Sequence, residues 1–335
     1  MSVSVRASGL RSSPALGPPR VRAAARASRD FAVLIPALDE AENAGPLFAA
    51  LRLAFDRHAL DGEVVFVDDG SSDDTYAVAR RAAARFGSRA TVLRHRVTRG
   101  KTQALLTAAA ATRATNVVLF DADLQYAPDD IPRLLAELDA GWDVVTGRRI
   151  GRYDKQAVSA VYNRLSRWLF GVPARDLNGV KALRRAVLRD VPLRRDWHRF
   201  LVVLAHARGH AVTEVDVALH PRRAGTSKFV GGGRVLTGVG DLLVVWCYLK
   251  FSAKPMPSFG ATGPTLTAAG AFGGAAVAAM RALRVAPPPI GYRPLLGLVM
   301  LLVSVGLTLV AFGLLAEMSA VLRGEVEALQ RDGHA

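Results

Sequence analysis

From Asp30 onward the chain alternates short apolar runs with stretches whose apolar positions recur at helical spacing. Phe31-Ala32-Val33-Leu34-Ile35, closed by Pro36, has no polar position, which is the pattern of a strand covered on both faces. Residues 42–57 follow with helical periodicity, and Val64-Val65-Phe66-Val67 is a second apolar run, ended by Asp68-Asp69-Gly70. A helix is predicted from about Asp73, with Ser71 or Ser72 placed to cap it. Thr91-Val92-Leu93 reads as a third strand, Thr102–Thr112 as a helix, and Val117-Val118-Leu119-Phe120 as a fourth strand running into Asp121. Asp143–Gly147 and Val212–Leu219 complete the strands. Lys155–Phe170 is amphipathic, with Tyr162, Leu165, Trp168 and Leu169 on one side, facing either the core or a lipid or acceptor. Strand and helix alternate with short connections, so a mostly parallel, Rossmann-like α/β sheet with right-handed crossovers is predicted.

In such sheets ligands bind beyond the carboxyl ends of the strands. Three of the predicted strands end in acidic clusters: Pro36 to Glu40, Asp68-Asp69-Gly70, and Asp121-Ala122-Asp123. Three clusters should therefore meet at one crevice. Two carboxylates at the Asp121/Asp123 spacing can share one hard cation and leave positions open for diphosphate oxygens. Taken alone, the same pair is equally an Asx turn. Asp69 can accept from a ribose or base, while Gly70 makes the turn. Arg99-Gly100-Lys101 precedes a helix N-terminus, where backbone N–H groups and a cation suit phosphate. Arg222-Arg223-x-Gly225-x-Ser227-Lys228 is a donor-rich loop suited to phosphoryl charge or to lipid headgroups. His198-Arg199-Phe200 opens a helical stretch, and Arg199 is its stronger candidate for a phosphate.

The tail changes character. Pro255–Met280 and Leu295–Ala316 carry no charge, and each is long enough to span a bilayer core of about 30 Å. The second is rich in Leu and Val; the first is rich in Gly and Ala and would rely on small-residue packing against it. Asp241–Lys250, with Trp246 and Tyr248, reads as an interfacial helix. Two spans return the C-terminus to the side of the catalytic domain.

Charge refines this picture. There are 44 Lys+Arg against 29 Asp+Glu, a net charge of +15. Without a helix-turn-helix, zinc-finger or RNA-binding motif, that excess points to anionic lipid or phosphorylated substrates rather than nucleic acid. Cys247 is the only cysteine, which excludes an intramolecular disulfide and a cysteine metal site. Residues 1–29 hold arginines, no acid and no apolar core. They are read as a disordered basic tail, with a transit peptide as the alternative and a secretory signal excluded.

These pieces, in this order, resemble the family 2 glycosyltransferases with the GT-A fold. More closely they resemble the polyprenyl-phosphate (dolichol-phosphate mannosyltransferase-like) glycosyltransferases. The resemblance is carried by Ile35-Pro36-Ala37-Leu38-Asp39-Glu40, Val67-Asp68-Asp69-Gly70-Ser71-Ser72-Asp73-Asp74-Thr75 and Arg99-Gly100-Lys101-Thr102. It continues through Asp121-Ala122-Asp123-Leu124-Gln125, Asp176-Leu177-Asn178-Gly179-Val180-Lys181, His198-Arg199-Phe200 and His220–Lys228. The resemblance implies donor binding by Pro36, Asp39, Glu40, Asp69, Lys101 and Asp121, and Mg²⁺ or Mn²⁺ held by Asp121, Asp123 and Gln125. Asp123 and Arg199 are the implied catalytic pair, with Arg199, Arg222, Arg223, Ser227 and Lys228 meeting phosphates. Ala37-Leu38 replaces the commoner Tyr-Asn, and Asn178 stands where many relatives have Cys or Ser.

The expected organisation is a tail at 1–29, a catalytic domain at 30–230 and interfacial helices at 231–254. Transmembrane helices at 255–281 and 294–317 and a cytosolic tail at 318–335 complete it. The expected reaction is inverting transfer of a hexose from a UDP- or GDP-sugar to a polyprenyl phosphate, giving a glycosyl-phosphopolyprenol. The protein is expected to be multi-pass in the inner membrane with its catalytic domain cytosolic, and the membrane helices offer a route to oligomers. The alternatives are a transferase for a hydroxyl acceptor, which needs a positioned carboxylate base, and a non-catalytic membrane scaffold.

Overall fold

The computed structural model describes residues 30–151, 156–194, 196–221, 233–252, 256–283, 285 and 292–332. It divides into two compact units, Met1–Gly231 and Gly232–Ala335.

The first unit is built on a seven-stranded sheet: β1 (Phe31–Ala37), β2 (Glu63–Asp68), β3 (Ala90–Arg94), β4 (Asn116–Leu119), β5 (Val144–Ile150), β6 (Lys181–Arg184) and β7 (Val212–Ala218). Their spatial order is β3-β2-β1-β4-β6-β5-β7. β1 to β4 are mutually parallel, as the alternating pattern requires. β6 runs antiparallel to both β4 and β5 and was not among the expected strands. Its four residues, Lys-Ala-Leu-Arg, carry charge at both ends and give no apolar run. The reversal brings the start of β6 to the carboxyl end of β4, where Lys181 faces Leu119 in register.

The helices of this unit are α1 (Ala41–Arg57), α2 (Thr75–Ala83), α3 (Lys101–Ala110), α4 (Ile131–Asp139), α5 (Gln156–Phe170), α6 (Arg185–Asp190) and α7 (Leu201–Ala207). Strand positions two apart, such as Val33, Ile35 and Val64, Phe66, join one core with Leu47, Phe48 and Leu51 of α1 and Ile131 and Leu134 of α4. Phe31, Phe48, Phe55, Phe66 and Phe86 stack through it with ring centroids 5.6–5.9 Å apart. Each such side chain buried contributes about 1.5–3 kcal/mol. The alternate positions Ala32, Leu34, Val65 and Val67 are also fully buried, and α3 packs against β1 and β2.

One local expectation is corrected. α2 starts at Thr75, not Asp73, and neither serine caps it. Asp73 instead accepts from Thr75 N at 3.0 Å, because both serines are drawn to Asp39. Among the described side chains of α5, Asn163 and Ser166 are buried and Trp168 is 80% exposed, the second of the two orientations expected for it. Polar bonding decides that orientation, since Asn163 reaches Asp176 at 3.4 Å.

β5 and β6 approach unusually closely. A Cβ on Gly179 would stand 1.8 Å from the carbonyl oxygen of Gly147, and Gly147 N donates to Val180 O at 2.7 Å. Gly179→Ala should therefore force the segment leading into β6 away from β5 and cost about 1–3 kcal/mol or more, read as a lower melting temperature.

The second unit comprises α8 (Gly233–Ser252), α9 (Met256–Ala282) and α10 (Arg293–Asp332). The expected interfacial helix is thus the latter half of a longer one, and the last helix continues beyond Ala316 to Asp332. α9 and α10 touch backbone to backbone: a Cβ on Gly306 would lie 2.6 Å from Thr267 N, and one on Gly270 3.0 Å from Val303 N. Glycine at these positions permits that approach. Among the described residues, Arg293–Leu322 is the one segment long and apolar enough to cross a membrane, and almost none of it is buried. Phe272, Met300 and Leu307 are exposed on these helices, a surface suited to apolar surroundings.

Candidate active site

All of the acidic clusters lie along the carboxyl edge of β1, β2 and β4. After β1, Asp39 takes a left-handed conformation (φ +48°), which turns its N–H to Ser71 Oγ at 2.8 Å. Its Oδ1 accepts from Ser72 N and Oγ at 2.8 and 3.1 Å. Glu40 N donates to Thr75 Oγ1 at 2.7 Å, and the Glu40 carboxylate accepts from Asn43 Nδ2 at 2.6 Å. The loops after β1 and β2 are thereby stitched into one rim, next to Pro36 on β1. Asp39 and Glu40 hold this rim together as well as lining it.

Asp69 turns inward. It is 3% exposed, and its two oxygens accept from Arg99 N at 2.9 Å, Gly100 N at 2.8 Å and His95 Nδ1 at 2.7 Å. Beside the ligand contact that the strand-end motif suggests, the geometry gives Asp69 the task of folding the loop over Gly70. There Gly70 has φ +79°, and a Cβ would lie 2.8 Å from Thr98 N. That loop delivers Lys101 to the start of α3.

Lys101 Nζ donates to Asp121 Oδ1 at 2.5 Å. Two residues on, Asp123 is buried and its Oδ1 accepts from Gln125 N at 3.2 Å, across Leu124 at φ +57°. Gln125 O accepts from His220 N at 2.8 Å, so the chain leaving β7 is tied to the Asp123–Gln125 turn. Arg222, Arg223, Ser227 and Lys228, expected just beyond it, lie outside the described residues.

Beneath Asp121 lies a recess of about 150 Å³ whose polar wall is Lys101, Asp121, Asn178, Lys181, His198 and Arg199. His198 is fixed from α3: Thr102 Oγ1 accepts from His198 N at 3.4 Å and lies 3.0 Å from Nδ1. Burial, and then the nearby charges of Lys101, Lys181 and Arg199, push His198 down to about 3, so it is neutral at physiological pH. Burial and Lys101 lower Lys181 to about 8. Burial works against the Asp121 carboxylate, but the Lys101 ammonium outweighs it, with Lys181 adding to the effect, and holds it below its usual value. Asp121 lines the recess without being sealed, since its side chain is 41% exposed.

Sequence reasoning thus found Asp121, Asp123, Lys101 and Arg199, and the structure brings Lys101, Asp121 and Arg199 to one recess. It did not single out Lys181 or give His198 a role. Their signal was the Asn178-Gly179-Val180-Lys181 stretch, which becomes legible only once β6 is known to reverse.

The donor set fits a hard divalent ion in outline. Among the described residues no three His, Cys, Asp or Glu side chains converge as a complete metal cage. Two carboxylates on one turn are what Mg²⁺ or Mn²⁺ needs when substrate phosphates and water fill the other positions. Asp121 already attracts a cationic group, the Lys101 ammonium.

Comparison with known proteins agrees with this geometry. Residues 32–185 match the model of the family described as Glycosyl transferase family 2. The chain is 30% identical over 307 residues to dodecaprenyl-phosphate galacturonate synthase of Rhizobium johnstonii, covering 88% of each. It is 27% identical to undecaprenyl-phosphate 4-deoxy-4-formamido-L-arabinose transferase of Edwardsiella ictaluri, covering 89% of this chain and 91% of the relative. The fold is shared with glucosyl-3-phosphoglycerate synthase from Mycobacterium tuberculosis, solved with Mn²⁺, UDP-glucose and phosphoglyceric acid. That match has a TM-score of 0.53 at 22% identity, covering 66% of this chain and 81% of the other.

Proposed function

The chain belongs to glycosyl transferase family 2, and from that premise we propose that it transfers a sugar from a nucleotide diphosphosugar to a polyprenyl phosphate at a membrane. The observation that carries this reading is the recess itself, where Asp121, the first acid of the Asp121–Asp123 turn, stands against the cationic wall of Lys101 and Arg199. The acidic turn suits a cation-bound diphosphate, and the cationic wall suits anionic groups that bring no cation of their own. Two relatives spanning nearly the whole chain, one a dodecaprenyl-phosphate and one an undecaprenyl-phosphate sugar transferase, support the lipid acceptor. The apolar Arg293–Leu322 helix supports a membrane setting. α9 is the second span of this reading, and the catalytic unit is cytosolic.

Asp121 and Asp123 would hold Mg²⁺ or Mn²⁺, with Gln125 in the same turn; when bound, the ion neutralises the departing diphosphate. The rim of Pro36, Asp39 and Glu40 receives the nucleoside, and Asp69 sets the loop that presents Lys101. An oxygen of the acceptor phosphate attacks C1 of the sugar as the bond from C1 to the diphosphate oxygen breaks. The nucleoside diphosphate leaves, and the anomeric configuration inverts. The acceptor oxygen is already ionised at neutral pH, so no proton has to be removed. The site fits that requirement: His198 is too weak a base to take a proton, and the Asp121 carboxylate is paired with Lys101. Arg199, together with Arg222, Arg223, Ser227 and Lys228, orients and neutralises the acceptor phosphate.

Membranes holding the protein, given a radiolabelled UDP- or GDP-sugar, a polyprenyl phosphate and Mg²⁺, should move label into the organic phase. EDTA should stop the transfer, and excess Mg²⁺ should restore it. Label that stays aqueous with every common donor would overturn the lipid acceptor.

A further inference from the structure

Lys181 is 8% exposed. Its ammonium donates to Gly179 O at 2.8 Å, and among the described residues no carboxylate lies within ion-pair distance of it. The two acids that act on it from further away are committed: Asp121 to Lys101 at 2.5 Å, and Asp176 to Arg149 at 2.6 Å. A buried ammonium with one carbonyl partner is costly unless an anion arrives. The neighbouring wall does not supply one, since His198 is neutral and Lys101 and Arg199 add positive charge. Burial, with Lys101 adding to it, lowers Lys181 only to about 8, so it stays largely charged at neutral pH.

The reaction proposed above brings three kinds of oxyanion near this wall: the donor diphosphate, which the cation at Asp121 and Asp123 would take up, the acceptor phosphate, and any acid group on the donor sugar. The position of Lys181 distinguishes them. It opens β6 opposite Leu119, two residues before Asp121, and so forms the inner floor of the recess beside the donor's metal turn. An attacking phosphate must instead approach C1 from the side opposite the diphosphate. The recess is lined mainly by polar side chains, which suits the hydroxyl and carboxylate groups of a sugar. We propose that Lys181 is a specificity residue that binds a carboxylate on the donor sugar, so that the preferred donor is a nucleotide-linked uronic acid. This deepens the transferase reading and rests on it.

The test uses the full-length protein in detergent, with UDP-galacturonate, UDP-glucuronate and GDP-mannuronate each measured beside the parent hexose donor. Calorimetry reads binding, and transfer to polyprenyl phosphate is read separately. At least one uronate should bind about tenfold or more tighter than its parent, the scale of one charge-assisted hydrogen bond. Lys181→Met should remove that preference while changing binding of the parent hexose donor less than about threefold, and Lys181→Arg should keep much of it. Equal or weaker binding of every uronate by the unmodified protein would overturn the proposal without any need for the variant. A Lys181→Met protein that melts normally, keeps its preference and instead needs more polyprenyl phosphate with every donor would also overturn it, placing Lys181 on the acceptor. Uronate preference in binding without any lipid product would uphold Lys181 and sink the acceptor assignment, which keeps the two failures apart.

Discussion

Replacing Asp123 with alanine is expected to lower sugar transfer about a thousandfold or more, equivalent to roughly 4 kcal/mol of transition-state stabilisation. Asp123 is buried at the end of β4, and its Oδ1 also closes the turn to Gln125 N at 3.2 Å. The alanine variant therefore loses both a carboxylate for the cation and a turn. Asp123→Asn separates these roles, because the amide oxygen can still accept from Gln125 N while the charge is gone. Both variants should be inactive, with the asparagine variant melting close to the parent and no longer responding to added Mg²⁺ or Mn²⁺. Full activity in Asp123→Asn would show that the turn, not the cation, is what Asp123 provides. Asp121 is a less clean target, because its loss also strands the Lys101 ammonium paired with it.

That Asp121 and Asp123 could be read from sequence at all follows from how β4 is made. Val117-Val118-Leu119 is fully apolar, so the end of the run marks the sheet edge, and the acids fall immediately beyond it. The same logic located β1 and β2 and the rims after them. It failed where polar bonding rather than apolar burial sets the structure. Asp69, at a strand end, also binds three donors, two of them backbone N–H groups thirty residues further along the chain, a structural duty that the local pattern does not show. Ser71 and Ser72 have capping chemistry, yet Asp39 in a left-handed conformation recruits both. β6 is too short and too charged to show periodicity, and with it the floor of the recess stayed hidden. What decided these cases was long-range pairing, which a local pattern does not contain.

The same kind of polar pairing should dominate the stability of the catalytic unit, and Arg149→Met is its sharpest test. Asp176 is almost wholly buried, and it receives Arg149 Nε at 2.6 Å and a second guanidinium nitrogen at 3.0 Å. It also accepts from Asn178 N at 3.0 Å and Asn163 Nδ2 at 3.4 Å, joining β5, α5 and the strand that enters the recess. Burial alone would raise the Asp176 pKa; the Arg149 hydrogen bond and charge reverse this and hold it below the usual carboxylate range. With the folded value depressed, the pair contributes its stability above the unfolded value of about 3.9 and loses it as pH falls through the folded one. Removing the guanidinium leaves a buried, unpaired carboxylate and should cost about 3–5 kcal/mol at neutral pH. In the variant burial prevails, so the carboxyl titrates above its usual value and sheds its charge on mild acidification. The gap in melting temperature between parent and variant should therefore narrow as pH falls toward about 4. Adding Asp176→Asn to Arg149→Met should recover much of the loss at neutral pH, because an amide carries no charge to strand. If the single variant melted like the parent at pH 7, the ion pair would be an accessory and the strand approach at Gly147 and Gly179 would have to hold the floor of the recess alone.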